Sequence, residues 1–93
     1  MAKKLKGKIA INTIGAIVEV AVTGKDYSAR VEYTCMEAMR LLADMKMQIK
    51  ASKHKILTLE FDEGEYVVCL DKIGTSEFID GLQEAINAAT ILN

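Results

Sequence analysis

Residues 27–50, YSARVEYTCMEAMRLLADMKMQIK, contain the change of period that decides the fold. Up to Thr34 the chain alternates, with Tyr27, Ala29, Val31 and Tyr33 on one side and Ser28, Arg30, Glu32 and Thr34 on the other. Successive side chains of a strand point to opposite faces, so this pattern describes an antiparallel strand with one face buried. Beyond Thr34 the apolar residues recur at helical spacing. Thr34 and Glu37 stand at the separation of a capping box, in which the hydroxyl accepts from an early helix amide and the carboxylate reaches back to the threonine amide. A helix from there to about Lys50 follows. A competing parse starts the helix at Asp26, because Val31, Cys35, Ala38 and Leu42 also keep helical spacing. The strict alternation and the β-branched and aromatic residues before Thr34 favour the strand.

Working outward, LKGKIAINTI (5–14) and AIVEVAVT (16–23) read as two strands broken at Gly15, or as one long strand bent there. Val18, Val20 and Val22 share one face; Ile17, Glu19, Ala21 and Thr23 share the other. TGKD (23–26) is a turn. Downstream, ILTLEFDEGEYVVCLD (56–71) is a hairpin: two apolar runs flank an Asp-Glu-Gly loop in which Gly64 supplies a positive φ. Leu57, Leu59 and Phe61 then share a face with Tyr66, Val68 and Leu70. A last helix is expected after a cap at Thr75 or Ser76, with Glu77 and Asp80 in its first turn. Its Phe78, Ile79, Leu82, Ala85, Ile86 and Ala89 fall within an arc of about 120°, the apolar face of a helix covering a sheet. The expected architecture is α+β: an antiparallel sheet of about five strands in the order β-β-β-α-β-β-α, with the helices packed on one face. Residues 1–93 form a single domain in this reading, with 1–6 a flexible basic N-terminus.

The helix over 35–50 carries more apolar surface than one sheet needs. Glu37, Arg40, Asp44 and Gln48 span only about 80° of its wheel, and four of the chain's five methionines lie on the remainder. A helix on a sheet needs an apolar arc of somewhat over ~100°, and this one has about twice that. Either both flanks are covered within the molecule, or the Met36/Met47 flank meets a second copy or another protein. Methionine suits the second use because its unbranched thioether adapts to irregular surfaces. Met36, Met39, Ala43 and Met47 are the interface residues this predicts. The outward sheet face, with Ala10, Ile17, Ala21, Ile56, Val67 and Cys69, is the alternative surface.

Charge and chemistry narrow the function further. The net charge is −1, with 51% apolar and 27% charged residues and no proline, a globular composition. Residues 1–55 hold a surplus of six positive charges, and residues 56–93 a surplus of seven negative ones. This asymmetry raises a nucleic-acid or anion-binding alternative, built on Lys3, Lys4, Lys6, Lys8, Lys50, Lys53 and Lys55. Against it stand the acidic overall balance, the lack of a recognisable nucleic-acid motif and the scarcity of stacking aromatics. No apolar run is long enough to cross a membrane. Cys35 and Cys69 fit no zinc spacing and read as buried free thiols of a cytoplasmic protein. His54 is the lone histidine, and Ser28, Ser52 and Ser76 occupy no nucleophile-elbow context. The acidic group Glu60, Asp62, Glu63 and Glu65 lacks calcium-loop spacing.

No catalytic residue, metal site or cofactor is therefore assigned. The sequence reads as a small non-enzymatic interaction or regulatory protein, adaptor- or inhibitor-like, that forms a homodimer through an apolar helix or sheet surface and binds no membrane. Small-ligand binding is a further alternative.

Overall fold

In the computed structural model, residues 3–5, 7–53 and 57–91 form six strands and two helices. The strands are β1 (Lys3–Lys4), β2 (Gly7–Ile14), β3 (Ile17–Gly24), β4 (Ser28–Thr34), β5 (Leu57–Phe61) and β6 (Tyr66–Leu70). The helices are α1 (Cys35–Ala51) and α2 (Lys72–Ile91). The class is α+β as expected, but the single five-stranded antiparallel sheet is not what forms. There are two sheets of three strands, ordered β1-β6-β5 and β2-β3-β4, and the β1–β6 pair is parallel.

The lysine-rich N-terminal stretch runs from one sheet into the other. The Lys3 amide donates to the Glu65 carbonyl and the Leu5 amide to the Val67 carbonyl, each at 2.8 Å, so this segment extends the β5–β6 hairpin. Two residues on, Gly7 pairs with Gly24 in the other sheet. A Cβ on Gly7 would lie 2.6 Å from the Thr23 carbonyl oxygen, so the strand can approach only where no side chain intervenes. One stretch of chain thereby serves both sheets in succession.

The turns explain the register. Ile14 pairs with Ile17 across a tight turn in which Gly15 takes a φ of 60°, so residues 7–24 are two strands and not one bent strand. β4 pairs with β3 from Thr23 opposite Ser28 to Ile17 opposite Thr34. At the second hairpin Asp62, Glu63 and Gly64 all have positive φ (53°, 56° and 88°), a conformation that costs the two non-glycine residues about 1–2 kcal/mol each.

Alternation then directs the core. Val18, Val20 and Val22 on β3 are buried, flanked by half-buried Ile9 and Ile11 on β2 and Ala29, Val31 and Tyr33 on β4. Leu57, Leu59 and Phe61 face the same interior opposite Leu70, Val68 and Tyr66. Both helices pack over this interior, and the buried residues of the two sheets and two helices form one cluster. Tyr27 stacks on Tyr66 with ring centroids 3.9 Å apart, joining the β3–β4 turn to the second sheet.

The capping box is present at the start of α1: the Glu37 amide donates to the Thr34 hydroxyl at 3.2 Å, and the Thr34 amide to the Glu37 carboxylate at 3.0 Å. α2 departs from expectation. Its cap is Asp71, whose carboxylate accepts from the Gly74 amide at 2.6 Å. Thr75, expected as a cap, lies a turn inside the helix, buried, with its hydroxyl donating to the Leu70 carbonyl at 3.4 Å. Glu77 and Asp80 consequently lie beyond the first turn. α2 is seated on β2 where Gly81 meets Ile11 and the Thr13 hydroxyl donates to the Ala85 carbonyl at 3.2 Å.

Candidate functional site

α1 presents three faces, and its sequence determines which. Ala38, Leu42 and Met45 are buried, with Cys35, Leu41 and Ile49 half-buried around them. Glu37, Arg40, Asp44 and Gln48 form the exposed polar stripe. Between the two lies an apolar strip that no part of the described fold covers. Met36 is 65% exposed, Met39 54% and Met47 70%, with Ala43 exposed among them. The four residues fall within about 80° of the helix circumference and along ~17 Å of its axis. One of the helix's four methionines, Met45, therefore belongs to the core, and the other three lie in water.

The strip borders a groove. Met39, Leu42, Ala43 and Lys46 of α1 face Gln83, Ile86, Asn87 and Thr90 of α2 across a concavity of about 550 Å³. Its buried lining residues are Leu42 and Ile86; the Thr90 hydroxyl donates to the Ile86 carbonyl at 2.8 Å and lies 3.1 Å from the Cys35 sulfur. On the far wall the Gln83 amide donates to Asn87 at 3.1 Å. The groove is thus apolar at its base and polar along the α2 rim.

The residues expected to share one outward sheet face are divided between the two sheets. Ala10 and Cys69 are exposed, Ile17, Ala21 and Val67 are half-buried, and Ile56 lies outside the described residues. Strand alternation places Asn12, Glu19, Arg30 and Glu32 on the same face of the β2-β3-β4 sheet as Ala10, Ile17 and Ala21, whereas Val67 and Cys69 belong to β6 in the other sheet; Glu19 is buried between its neighbours and accepts from Asn12 at 3.5 Å. Cys69 is not the buried thiol expected. It stands opposite Thr58 on the side of β6 turned away from Val68, while Cys35 is half-buried and both thiols are free.

The lysines of the anion-binding alternative are spread out. Lys3 and Lys4 lie beside Tyr66 and Val67 at the start of β6, next to the acidic hairpin tip, and the Lys3 ammonium sits 5.9 Å over the Tyr66 ring. β5, which follows Lys50 and Lys53, begins opposite Leu70, about 13 Å further along β6. Lys8 is exposed on β2, across from Thr23. Lys6, Lys55 and His54 lie outside the described residues. No family model matches this chain. No curated protein and no solved structure matches it either.

A second concavity, none of it singled out by the sequence as a site, lies between β4, β5 and α1. About 430 Å³ in volume, it is lined by Val20, Tyr33, Leu41, Met45, Leu59, Phe61 and Phe78, with Asp44, Gln48, Thr58 and Glu60 as its polar groups. Burial, and then the nearby Glu37 carboxylate, push the Tyr33 phenol above its ordinary value. Tyr27 is raised as well, by desolvation first and then by its hydrogen bond to Asp62. Among the described residues no group of His, Cys, Asp and Glu is assembled as a metal site, and no helix is long and apolar enough to cross a membrane.

Proposed function

We propose that this protein is a small non-enzymatic interaction module, adaptor- or inhibitor-like, that self-associates through the methionine strip of α1. The supporting observation is the exposure of Met36, Met39 and Met47 together on one stripe beside the α1–α2 groove. Exposed single apolar residues are ordinary, but a contiguous apolar stripe rimmed by polar groups is characteristic of interaction surfaces.

A stable interface buries about 800 Å² per partner, more than a strip ~17 Å long supplies alone. The strip serves as the desolvated centre of the contact. Lys46, Lys50, Gln83 and Asn87 supply the polar rim around it. An isologous pair of α1 helices satisfies this geometry, because a two-fold axis through Ala43 brings each strip against its own copy. Ala43 at the centre lets the two helices approach closely, and the thioethers on either side fill the space that remains.

Light scattering at micromolar concentration tests this reading. The expected result is a mass twice that of the chain, reduced to the single-chain mass by Met36→Lys combined with Met47→Lys while the circular dichroism is unchanged. A wild-type protein that remains monomeric at those concentrations refutes it.

A further inference from the structure

The cleft between β4, β5 and α1 has the attributes of a strand-accepting site. Four consecutive residues of β5, Thr58, Leu59, Glu60 and Phe61, line it. Because neighbouring residues of a strand face opposite ways, a lining that includes all four means that the edge of β5, not one of its faces, borders the cleft. Among the described residues β5 pairs only with β6, and β4 on the opposite side pairs only with β3. The unpaired edge of β5 therefore borders the space, and such an edge is a template for another strand.

The remaining lining specifies what the added strand carries. Tyr33, Leu41, Met45 and Phe78 make an apolar interior wall. Asp44 and Glu60 are the charged residues of the lining, both acidic and both exposed, and no Lys or Arg is among the described residues that line it. Alternate side chains of an extended segment would meet the apolar wall, and those between them would meet the carboxylates. We infer that this cleft docks a short, extended, basic segment of a partner protein, added as a strand along β5, with apolar side chains turned inward and Lys or Arg side chains held by Asp44 and Glu60.

Main-chain hydrogen bonds to the edge supply affinity in this mode, and the alternating side chains supply selectivity. Asp44 lies on the polar stripe of α1 and Glu60 on β5, apart from Met36, Met39 and Met47, so the site is separate from the self-association surface.

The test uses the full chain and an acetylated, amidated peptide of about seven alternating lysines and valines, the length of one strand. Fluorescence anisotropy should show saturable binding that weakens as salt is added. Hydrogen exchange at the β5 amides should slow when peptide is present. Asp44→Asn combined with Glu60→Gln should weaken binding by about tenfold or more, the expected loss for charge-assisted contacts. Met36→Lys combined with Met47→Lys should leave it unchanged, so this inference and the self-association reading fail separately. Any of four results would overturn the proposal: no binding, equal binding of the glutamate–valine counterpart, binding insensitive to the carboxamide pair, or equal protection of β5 by butylammonium alone.

Discussion

Replacing Gly81 with alanine should stabilise the protein, and the size of the gain measures how α2 is seated. Gly81 is the tenth residue of the twenty in α2, well inside the helix, where glycine costs about 1 kcal/mol relative to alanine. A Cβ built there meets the Ile11 Cδ1 at 3.5 Å, an ordinary van der Waals contact, so no overpacking cost offsets the gain. The position is half-buried, and the new methyl adds roughly half of the ~0.8 kcal/mol of a fully buried carbon. The sum is about 1.4 kcal/mol, or roughly 5–10 °C in Tm for a chain of this size. Chemical denaturation at one fixed protein concentration provides the measurement, because an associating protein gains stability with concentration. Gly74→Ala supplies the contrast. Its Cβ would lie 3.1 Å from the Asp71 carboxylate oxygen that caps the helix, so the propensity gain and the cap loss nearly cancel. Destabilisation of the Gly81 variant by ~1 kcal/mol or more would mean that α2 lies closer to β2 than described, and the α2 wall of the groove would have to be redrawn.

Other expectations are independent of that one. Met45, 2% exposed, should cost about 2–5 kcal/mol when replaced by alanine, whereas Met47→Ala at 70% exposure should change monomer stability by less than ~0.5 kcal/mol; urea denaturation distinguishes them. Glu37 is held below its ordinary value of 4.5, chiefly by the Thr34 amide hydrogen bond. A depressed carboxylate stabilises the fold above its unfolded value and loses that contribution as pH falls through its folded value, so the wild-type advantage over Glu37→Gln should be full at neutral pH and vanish on acidification below about 4.5. Glu63→Asn replaces a strained residue with one that tolerates positive φ beside Gly64, and should raise stability by up to about 1 kcal/mol in thermal melts.

Local signals carried most of the fold. The switch of period at Thr34 placed the β4–α1 boundary, and the capping-box spacing marked the same residue. Gly15 and Gly64 marked turns that need positive φ, and alternation assigned the inner faces of β3, β4, β5 and β6. What escaped was non-local or disguised. Nothing near Lys3 signals a parallel pairing with Tyr66, more than sixty positions away, and a run of lysines resembles a solvated tail. The Thr-Ser-Glu at 75–77 has the composition of a helix start, whereas the residue that caps the first turn is Asp71, four positions earlier than Thr75. On α1 the narrow polar stripe showed that an apolar flank was in excess, and the exposed strip is that flank. The β4–β5 cleft left no trace in the sequence. Its walls come from strands separated by the whole of α1, and Asp44, Gln48 and Glu60 read individually as surface residues.

The central claim is that the α1 strip buries itself against a second copy, and its most direct test is a dilution series on protein carrying isotope-labelled methionine methyl groups. The signals of Met36, Met39 and Met47 should move together as the protein is diluted from high to low micromolar concentration, while Met45 stays in place. Methionine signals indifferent to dilution, in a protein that sediments as a single chain, would contradict the account.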